Sequence, residues 1–363
     1  MAPYYVTWVS VIILSFIAQS YEPATLEVKN GVFVRPWQTR AAFAVATFIL
    51  VFVGGCRYKV GADFMPYYNM YSYYMEQLPE TLKKLDEPGI FVLYRIATLI
   101  YDDPFSCIFL SAAVTTVIGL RIIEKYSENL KLGMLLYMFV VWHTCFNGVR
   151  QALAVAVLFC GYESLKDRKF WKWCLTVFLA FLFHRSSAVV FLVYFFVHRK
   201  ISIKNLFILS VGAIVILRLY NVVFETVGWL MDKENYVMYY NAESSNYISR
   251  SVNILRIAFE VTPAAFFLIA KRNSEYSDED TFYTNLLVLH AVLAVATMGS
   301  AYMARMTLYT MPFAIVAICN LVPELGRGKA IWSPAFVCAF AFFGWYEIYN
   351  NSWLQPFRWI WER

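Results

Sequence analysis

The chain of 363 residues is 60% hydrophobic and 19% aromatic, and only 15% of its residues are charged. This composition excludes an ordinary soluble domain, and apolar runs that recur from end to end predict an all-α protein with many membrane-crossing helices. The net charge of +6 comes from short basic clusters between the apolar runs. That pattern orients membrane proteins, and it gives no reason to expect a nucleic-acid partner.

The apolar runs, taken in chain order, define the predicted membrane helices. They cover residues 4–18, 37–56, 89–101, 105–121, 131–146, 149–163, 171–184, 186–197, 205–224, 251–270, 282–299, 303–322 and 331–349. Basic clusters are expected on the cytoplasmic side, which leaves about twelve crossings if residues 89–101 form a half-embedded helix instead of a span. We therefore predict a transmembrane helical bundle, a single integral membrane domain over residues 1–363, with both termini outside.

Two long external loops are predicted, residues 57–103 and residues 225–250. The first contains a tyrosine-rich amphipathic piece, residues 67–78, which either stacks on sugars or, more simply, forms an interfacial aromatic belt. Residues 171–197 are too short for two full spans, so we predict two half-length helices in a hairpin with His184 at its tip. A single long helix is the alternative, and it would place the flanking basic clusters on opposite sides.

Polar clusters at the ends of apolar runs supply the candidate functional residues, because ionisable groups near the bilayer are costly. The first cluster joins Arg57, which ends an apolar run, to Asp63. Gly61 permits a close turn between them, and burial at the interface would raise the pKa of Asp63 toward that of a general base. The alternative is a structural pair in which the two side chains only position each other.

The second cluster is Asn147, Arg150 and Gln151, at the predicted outer start of an apolar helix. With Asn147 as the N-cap, the guanidinium fork of Arg150 and the positive end of the helix converge on one spot. This arrangement suits an anion such as a phosphate or pyrophosphate. The alternative is an arginine that only extends into the headgroup region.

The third cluster contains His184, the only one of the four histidines predicted in a polar, outward-facing turn. A neutral imidazole beside Arg185 can take a proton from a hydroxyl nucleophile. The alternative is a hydrogen-bonded turn residue without chemical function.

Two further candidate cations, Arg256 and Arg305, lie in the last third of the chain. Arg256 and Glu260 are spaced to pair with each other inside an apolar run. Arg305, with Tyr309 four residues later, is predicted to face outward as a second cation for the same anion. The seven cysteines have no zinc or disulfide spacing, and the chain contains no nucleotide-binding motif, so we expect no metal and no cofactor.

The polar clusters also resemble a known family in their order and spacing. The chain is similar to the EpsG family of bacterial polysaccharide polymerases, a branch of the Wzy-type polymerases, from about residue 40 to residue 310. A small departure is Ala62, where the first motif usually has threonine. The motifs are Arg57-x-x-x-Gly61-x-Asp63-x-x-x-Tyr67, Glu87-Pro88-Gly89, Asn147-x-x-Arg150-Gln151-x-x-Ala154, Phe183-His184-x-Ser186 and Arg305-x-x-x-Tyr309.

The resemblance implies an enzyme that joins undecaprenyl-pyrophosphate-linked oligosaccharide repeat units at the outer face of the bacterial inner membrane. It also implies a fold similar to the GT-C glycosyltransferases, in which the first long external loop carries the key acid. The expected partners are the lipid-linked donor and acceptor, the bilayer and a chain-length regulator. Substrate-binding residues would include Tyr67, Glu87 and Tyr309, which the motifs contain.

The expected mechanism combines the chemistry of the polar clusters with the activity that the resemblance implies. Arg150, with Arg305 and Arg57, would hold the pyrophosphate leaving group without a metal, while Asp63 or His184 deprotonates the acceptor hydroxyl. Asp63 is the first candidate for the base on fold analogy, and His184 is second on its intrinsic pKa. The alternatives are an O-antigen ligase, which needs a lipid A acceptor, a flippase or other transporter, and a structural membrane subunit.

Overall fold

The computed structural model describes residues 1–76, 78–84, 86–200, 202–218, 252–301 and 303–363. These residues form two compact units, one of residues 1–188 with 322–363 and the other of residues 189–321. Regular structure in both units is almost entirely helical. The predicted class, an all-α membrane protein with several spans, is therefore confirmed.

The chain begins with α1 (Ala2–Ser20) and a hairpin that the sequence did not indicate, in which β1 (Glu27–Lys29) pairs antiparallel with β2 (Val32–Val34). The next elements are α2 (Trp37–Gly55), α3 (Phe64–Asn69), α4 (Tyr71–Glu76), α5 (Leu78–Lys84), α6 (Pro88–Ile100) and α7 (Pro104–Tyr126). They are followed by α8 (Leu130–Leu136), which continues as a π-helix (Tyr137–Trp142), and by α9 (Val149–Cys160), α10 (Tyr162–Lys166) and α11 (Phe170–Phe181).

A 3-10 helix (Arg185–Phe195) precedes α12 (Ile203–Arg218). The second unit continues with α13 (Ile254–Ala270), α14 (Asp278–Thr297), a 3-10 helix (Met303–Tyr309) and α15 (Met311–Leu321). The chain then returns to the first unit through a 3-10 helix (Pro323–Gly328), α16 (Lys329–Asn350) and a short 3-10 turn (Ile360–Glu362).

Within the described residues, five helices are long and apolar enough to cross a membrane: α1, α2, α7, α14 and the helix over 323–350. A sixth span results if the 3-10 helix Met303–Tyr309 and α15, which are bent by 48°, count as one. Twelve crossings and a GT-C fold therefore stay predictions.

The predicted external loop over residues 57–103 is a folded layer of short helices. It contains α3 to α6, and the predicted half-embedded helix over 89–101 corresponds to α6. Proline stands at the first position of α6 and of α7, where a missing N–H does no harm. The layer has its own apolar core, which packs on α7 and α9 and consists of Phe64, Tyr67, Ile90, Phe91, Leu93, Tyr94, Ala97, Cys107, Ile108, Val149 and Leu153. The second predicted loop, 225–250, lies outside the described residues.

Residues 171–197 form two separate short helices, as predicted, and not one long helix. The α-helix α11 ends at Phe181, residues 182–184 belong to neither helix, and the 3-10 helix begins at Arg185. His184 lies in this break, close to the position predicted for the tip.

The tail after α16 pairs with the segment that follows α2. The N–H of Tyr58 donates to the carbonyl of Arg358 at 2.8 Å, and the N–H of Ile360 donates to that of Cys56 at 2.9 Å. The N–H of Gly61 donates to the carbonyl of Trp353 at 2.7 Å. These backbone bonds fix the segment that carries the first polar cluster.

Candidate active site

Arg57 is buried, with an exposed fraction of 1%. Its guanidinium donates to the carbonyls of Gly54 and, at 3.0 Å, Val60, and it lies 4.5 Å from the ring centre of Phe146. Burial lowers the pKa of Arg57 to about 10, so the side chain stays protonated near neutral pH. These contacts give Arg57 a role in ending α2, and a contact with pyrophosphate stays a prediction.

Gly61 makes the close turn that the sequence predicts. Its φ is +98°, and a Cβ atom there would lie 2.2 Å from the carbonyl oxygen of Phe146, so only glycine fits. The turn brings Asp63 to the start of α9, where its Oδ2 accepts the N–H of Val149 at 3.0 Å. Asp63 therefore caps a helix that begins far along the chain.

Asn147 is not the N-cap of α9, and that prediction was wrong. Gly148 occupies the N-cap position with φ +73° and offers no side chain. The Oδ1 of Asn147 instead accepts the N–H of Ala62 at 2.6 Å. Asn147 and Asp63 thus connect the two predicted clusters through reciprocal side-chain to backbone bonds.

Glu87 is the centre of the site. It precedes Pro88 with a left-handed backbone, φ 48°, and its carboxylate is 8% exposed. Oε1 lies 2.8 Å from Nδ1 of His184 and accepts the backbone N–H of Arg185 at 2.9 Å, while Oε2 accepts from Nη1 of Arg150. One carboxylate therefore binds the key residues of the second and third clusters.

The charge of Glu87 is stabilised by these contacts. Burial raises the pKa of Glu87, but the hydrogen bond with His184 and the charge of Arg150 outweigh it. They lower the pKa to about 2, and the N–H of Arg185 contributes in the same direction. Glu87 is thus an ionised acceptor at any physiological pH.

The ionised carboxylate determines which nitrogen of His184 carries hydrogen. A carboxylate only accepts, so Nδ1 must donate to it, and Nε2 of a neutral ring then holds the lone pair. The side chain of His184 is 25% exposed. Within the described residues Nε2 makes no hydrogen bond, which leaves this nitrogen available to a bound hydroxyl.

Arg150 is held on both sides but keeps part of its surface open. Its Nε donates to the hydroxyl of Tyr67 at 2.9 Å, and its Nη1 binds Glu87. Tyr67 is buried, and its carbonyl accepts the hydroxyl of Tyr94 at 2.9 Å. The Arg150 side chain is 35% exposed, and Gln151 beside it is buried. The guanidinium is therefore both fixed in direction and accessible.

The remaining predicted residues lie in the second unit. Arg256 binds Glu260, with Nε 3.0 Å from Oε1, so the predicted pair is confirmed. Arg305 and Tyr309 belong to the 3-10 helix Met303–Tyr309. Their participation in the site stays a prediction.

The three polar clusters did not identify Glu87 as the centre of the site. Only the family motif Glu87-Pro88-Gly89 named it as a candidate functional residue. The signal in the sequence was an acid directly before Pro88-Gly89 at the start of an apolar run. The N–H of Gly89 also donates to the carbonyl of Leu182 at 2.8 Å, so this short motif attaches α6 to the His184 turn. In the described part of the chain, no group of three His, Cys, Asp or Glu side chains could hold a metal ion.

The comparison with family models decides the class of protein. The model of the EpsG family matches residues 40–359, which is most of the chain. The chain belongs to the EpsG family. EpsG is a family of polysaccharide polymerases, so the family supports a polymerase-type function for this chain. No curated protein and no solved structure matches this EpsG chain.

Proposed function

We propose that the protein is a Wzy-type polymerase that joins undecaprenyl-pyrophosphate-linked oligosaccharide repeat units at the outer face of the bacterial inner membrane. The contact of Glu87 with both His184 and Arg150 is the observation that carries this proposal. It joins a candidate base to a candidate anion-binding group through one ionised side chain. Glycosyl transfer from a pyrophosphate donor needs both functions at once.

His184 is the base in this mechanism. Its Nε2 takes the proton of the acceptor hydroxyl while the hydroxyl oxygen attacks the anomeric carbon of the donor. Glu87 fixes the ring through Nδ1 and stabilises the imidazolium that forms, as the carboxylate does in serine hydrolases. Asp63 was the first candidate on fold analogy, but its Oδ2 is occupied at the N-terminus of α9.

Arg150 supports the leaving group. The bond between the anomeric carbon and the pyrophosphate oxygen breaks as the new bond forms on the opposite face, which inverts the configuration. The developing negative charge falls on the pyrophosphate, where a guanidinium with a fixed direction stabilises it. Because Glu87 and Tyr67 hold two of its nitrogens, Arg150 is preorganised for this contact.

A chain-extension assay tests the function. Purified protein receives one lipid-linked repeat unit as both donor and acceptor, and we expect products that differ by one repeat unit. A parallel reaction with a lipid A acceptor identifies a ligase. Transfer to that acceptor alone, or no transfer although the donor binds, would contradict the proposed polymerase.

A further inference from the structure

A large cleft lies in the first unit at the end opposite to the candidate site. Its volume is about 1040 Å³, and its walls come from α1, the residues around the β-hairpin, the start of α8 and the start of α16. At this end, the hydroxyl of Thr39 in α2 donates to the carbonyl of Ala18 in α1 at 3.0 Å. The segment with Arg57 follows the other end of α2, about 28 Å away along that helix.

The cleft exists because α1 and α16 meet at one end and separate toward the other. Near the candidate site, the hydroxyl of Tyr4 donates to the carbonyl of Leu354 at 2.9 Å, and Nε1 of Trp345 donates to the hydroxyl of Tyr5 at 3.2 Å. Further along, residues of the two helices line the two sides of the cleft. The helices therefore form a V that is open at the end away from the site.

The walls of the cleft are apolar and its mouth is polar. Ile12, Phe16, Leu135 and Val337 line the cleft within the helices, whereas Gln19, Asn129, Lys131 and Lys329 lie at the helix ends, which we take as its mouth. Phe16 is 56% exposed, and its neighbours on α1, Ile13 and Ile17, are also exposed. The apolar wall is thus continuous with the outer surface of a candidate membrane span, which contacts lipid chains.

The charge at the mouth favours an anion. Two lysines and two acids line the cleft, but the carboxylate of Glu22 binds Nε of Arg35 at 2.8 Å. Burial raises the pKa of Glu128, although Lys329 partly opposes this. Nζ of Lys131 lies 4.2 Å from the ring centre of Phe16, at the border between mouth and wall. The two lysines are therefore only partly compensated.

We propose that this cleft is a binding site for one phospholipid with an anionic headgroup. Its acyl chains fill the V between α1 and α16, and its phosphate binds Lys131 and Lys329. The volume slightly exceeds the usual range for ligand pockets, about 300–1000 Å³, which suits a two-chain lipid. The site is independent of the proposed transfer reaction, since it contains none of the residues around Glu87.

Native mass spectrometry of the full chain in mild detergent tests this site, with phosphatidylglycerol and phosphatidylcholine as the added lipids. We expect one tightly bound lipid and a preference for phosphatidylglycerol. Removing both charges with Lys131→Gln and Lys329→Gln should weaken phosphatidylglycerol binding by about 30-fold, at roughly 1 kcal/mol for each lysine. The matched control is Lys83→Gln with Lys84→Gln, which removes two exposed lysines of α5 and should change nothing.

A second variant tests the walls. Val337→Trp fills the cleft from α16 and should abolish the tightly bound lipid of either headgroup, and thermal unfolding shows whether that variant is folded. Equal phosphatidylglycerol binding by the wild type and by the variant with Lys131→Gln and Lys329→Gln would overturn the proposal, whatever the result for Val337→Trp. Equal binding of both lipids by the wild type would overturn it as well, because the contact is then ordinary boundary lipid.

Discussion

The carboxylate of Asp63 accepts a hydrogen bond from the backbone N–H of Val149 at 3.0 Å, across 86 residues of sequence. The bond attaches the segment after α2 to the first turn of the helix that carries Arg150. An N-cap acceptor of this kind is worth about 1 kcal/mol. Asp63 thus supports the position of Arg150, and its substitutions separate that role from general-base catalysis.

Asp63→Asn should keep turnover within about tenfold of the wild type, because asparagine also caps a helix N-terminus well. Asp63→Ala removes the acceptor and should lower both the melting temperature and turnover further. The measurements are thermal unfolding and chain extension on purified protein. An inactive Asp63→Asn that still binds the donor would make Asp63 the base.

Arg150→Lys should weaken donor binding about 10- to 100-fold, since a lysine keeps the charge but cannot hold Glu87 and Tyr67 while it faces a pyrophosphate. Arg185→Lys is the matched control. The side chain of Arg185 binds the exposed Asp86 at 2.7 Å, and only its backbone N–H contacts Glu87. Equal donor binding by the two variants would remove Arg150 from the pyrophosphate site.

Gly61→Ala should destabilise the protein strongly and abolish activity, because the new Cβ would collide with the carbonyl of Phe146. Gly31→Ala is the control, since Gly31 also has a positive φ, +74°, but no atom lies within 4 Å of the position that its Cβ would take. It should cost only about 1 kcal/mol of backbone strain. We expect a large loss of folded protein for Gly61→Ala and not for Gly31→Ala. Similar melting temperatures of the two variants in thermal unfolding would contradict the close turn at Gly61.

Glu87 makes part of the stability dependent on pH. Its folded pKa is lowered to about 2, so the stabilisation is present above its unfolded pKa of roughly 4.3 and is lost as the pH falls toward 2. The wild type should therefore exceed Glu87→Gln in melting temperature at pH 6, and this difference should shrink between pH 4.5 and pH 3. A difference that stays constant over this range would show that Glu87 is not held as an ion.

The sequence predicted the class of fold and the polar clusters, but it did not predict the side-chain contacts that join those clusters. Apolar runs and basic clusters suffice for membrane helices, because burial in lipid acts on each segment separately. The contact between Glu87 and His184 joins side chains 97 residues apart, and no local period encodes such a contact. The burial of Arg57 was missed because a charge at a helix end looks exposed until its carbonyl partners are known. Asn147 failed as a cap because the glycine after it, Gly148, occupies that position.

The central claim is that Glu87 and His184 act as one catalytic unit, and a double-mutant cycle on the transfer rate tests it most directly. We would measure chain extension and, separately, donor binding for Glu87→Gln, His184→Ala and the double variant. His184→Ala should lose about 100- to 10,000-fold in turnover and keep donor binding, and the double variant should lose little more, because either change removes the oriented base. If His184→Ala retains a tenth or more of the normal rate, or if the two losses simply multiply, the base lies elsewhere and the account is contradicted.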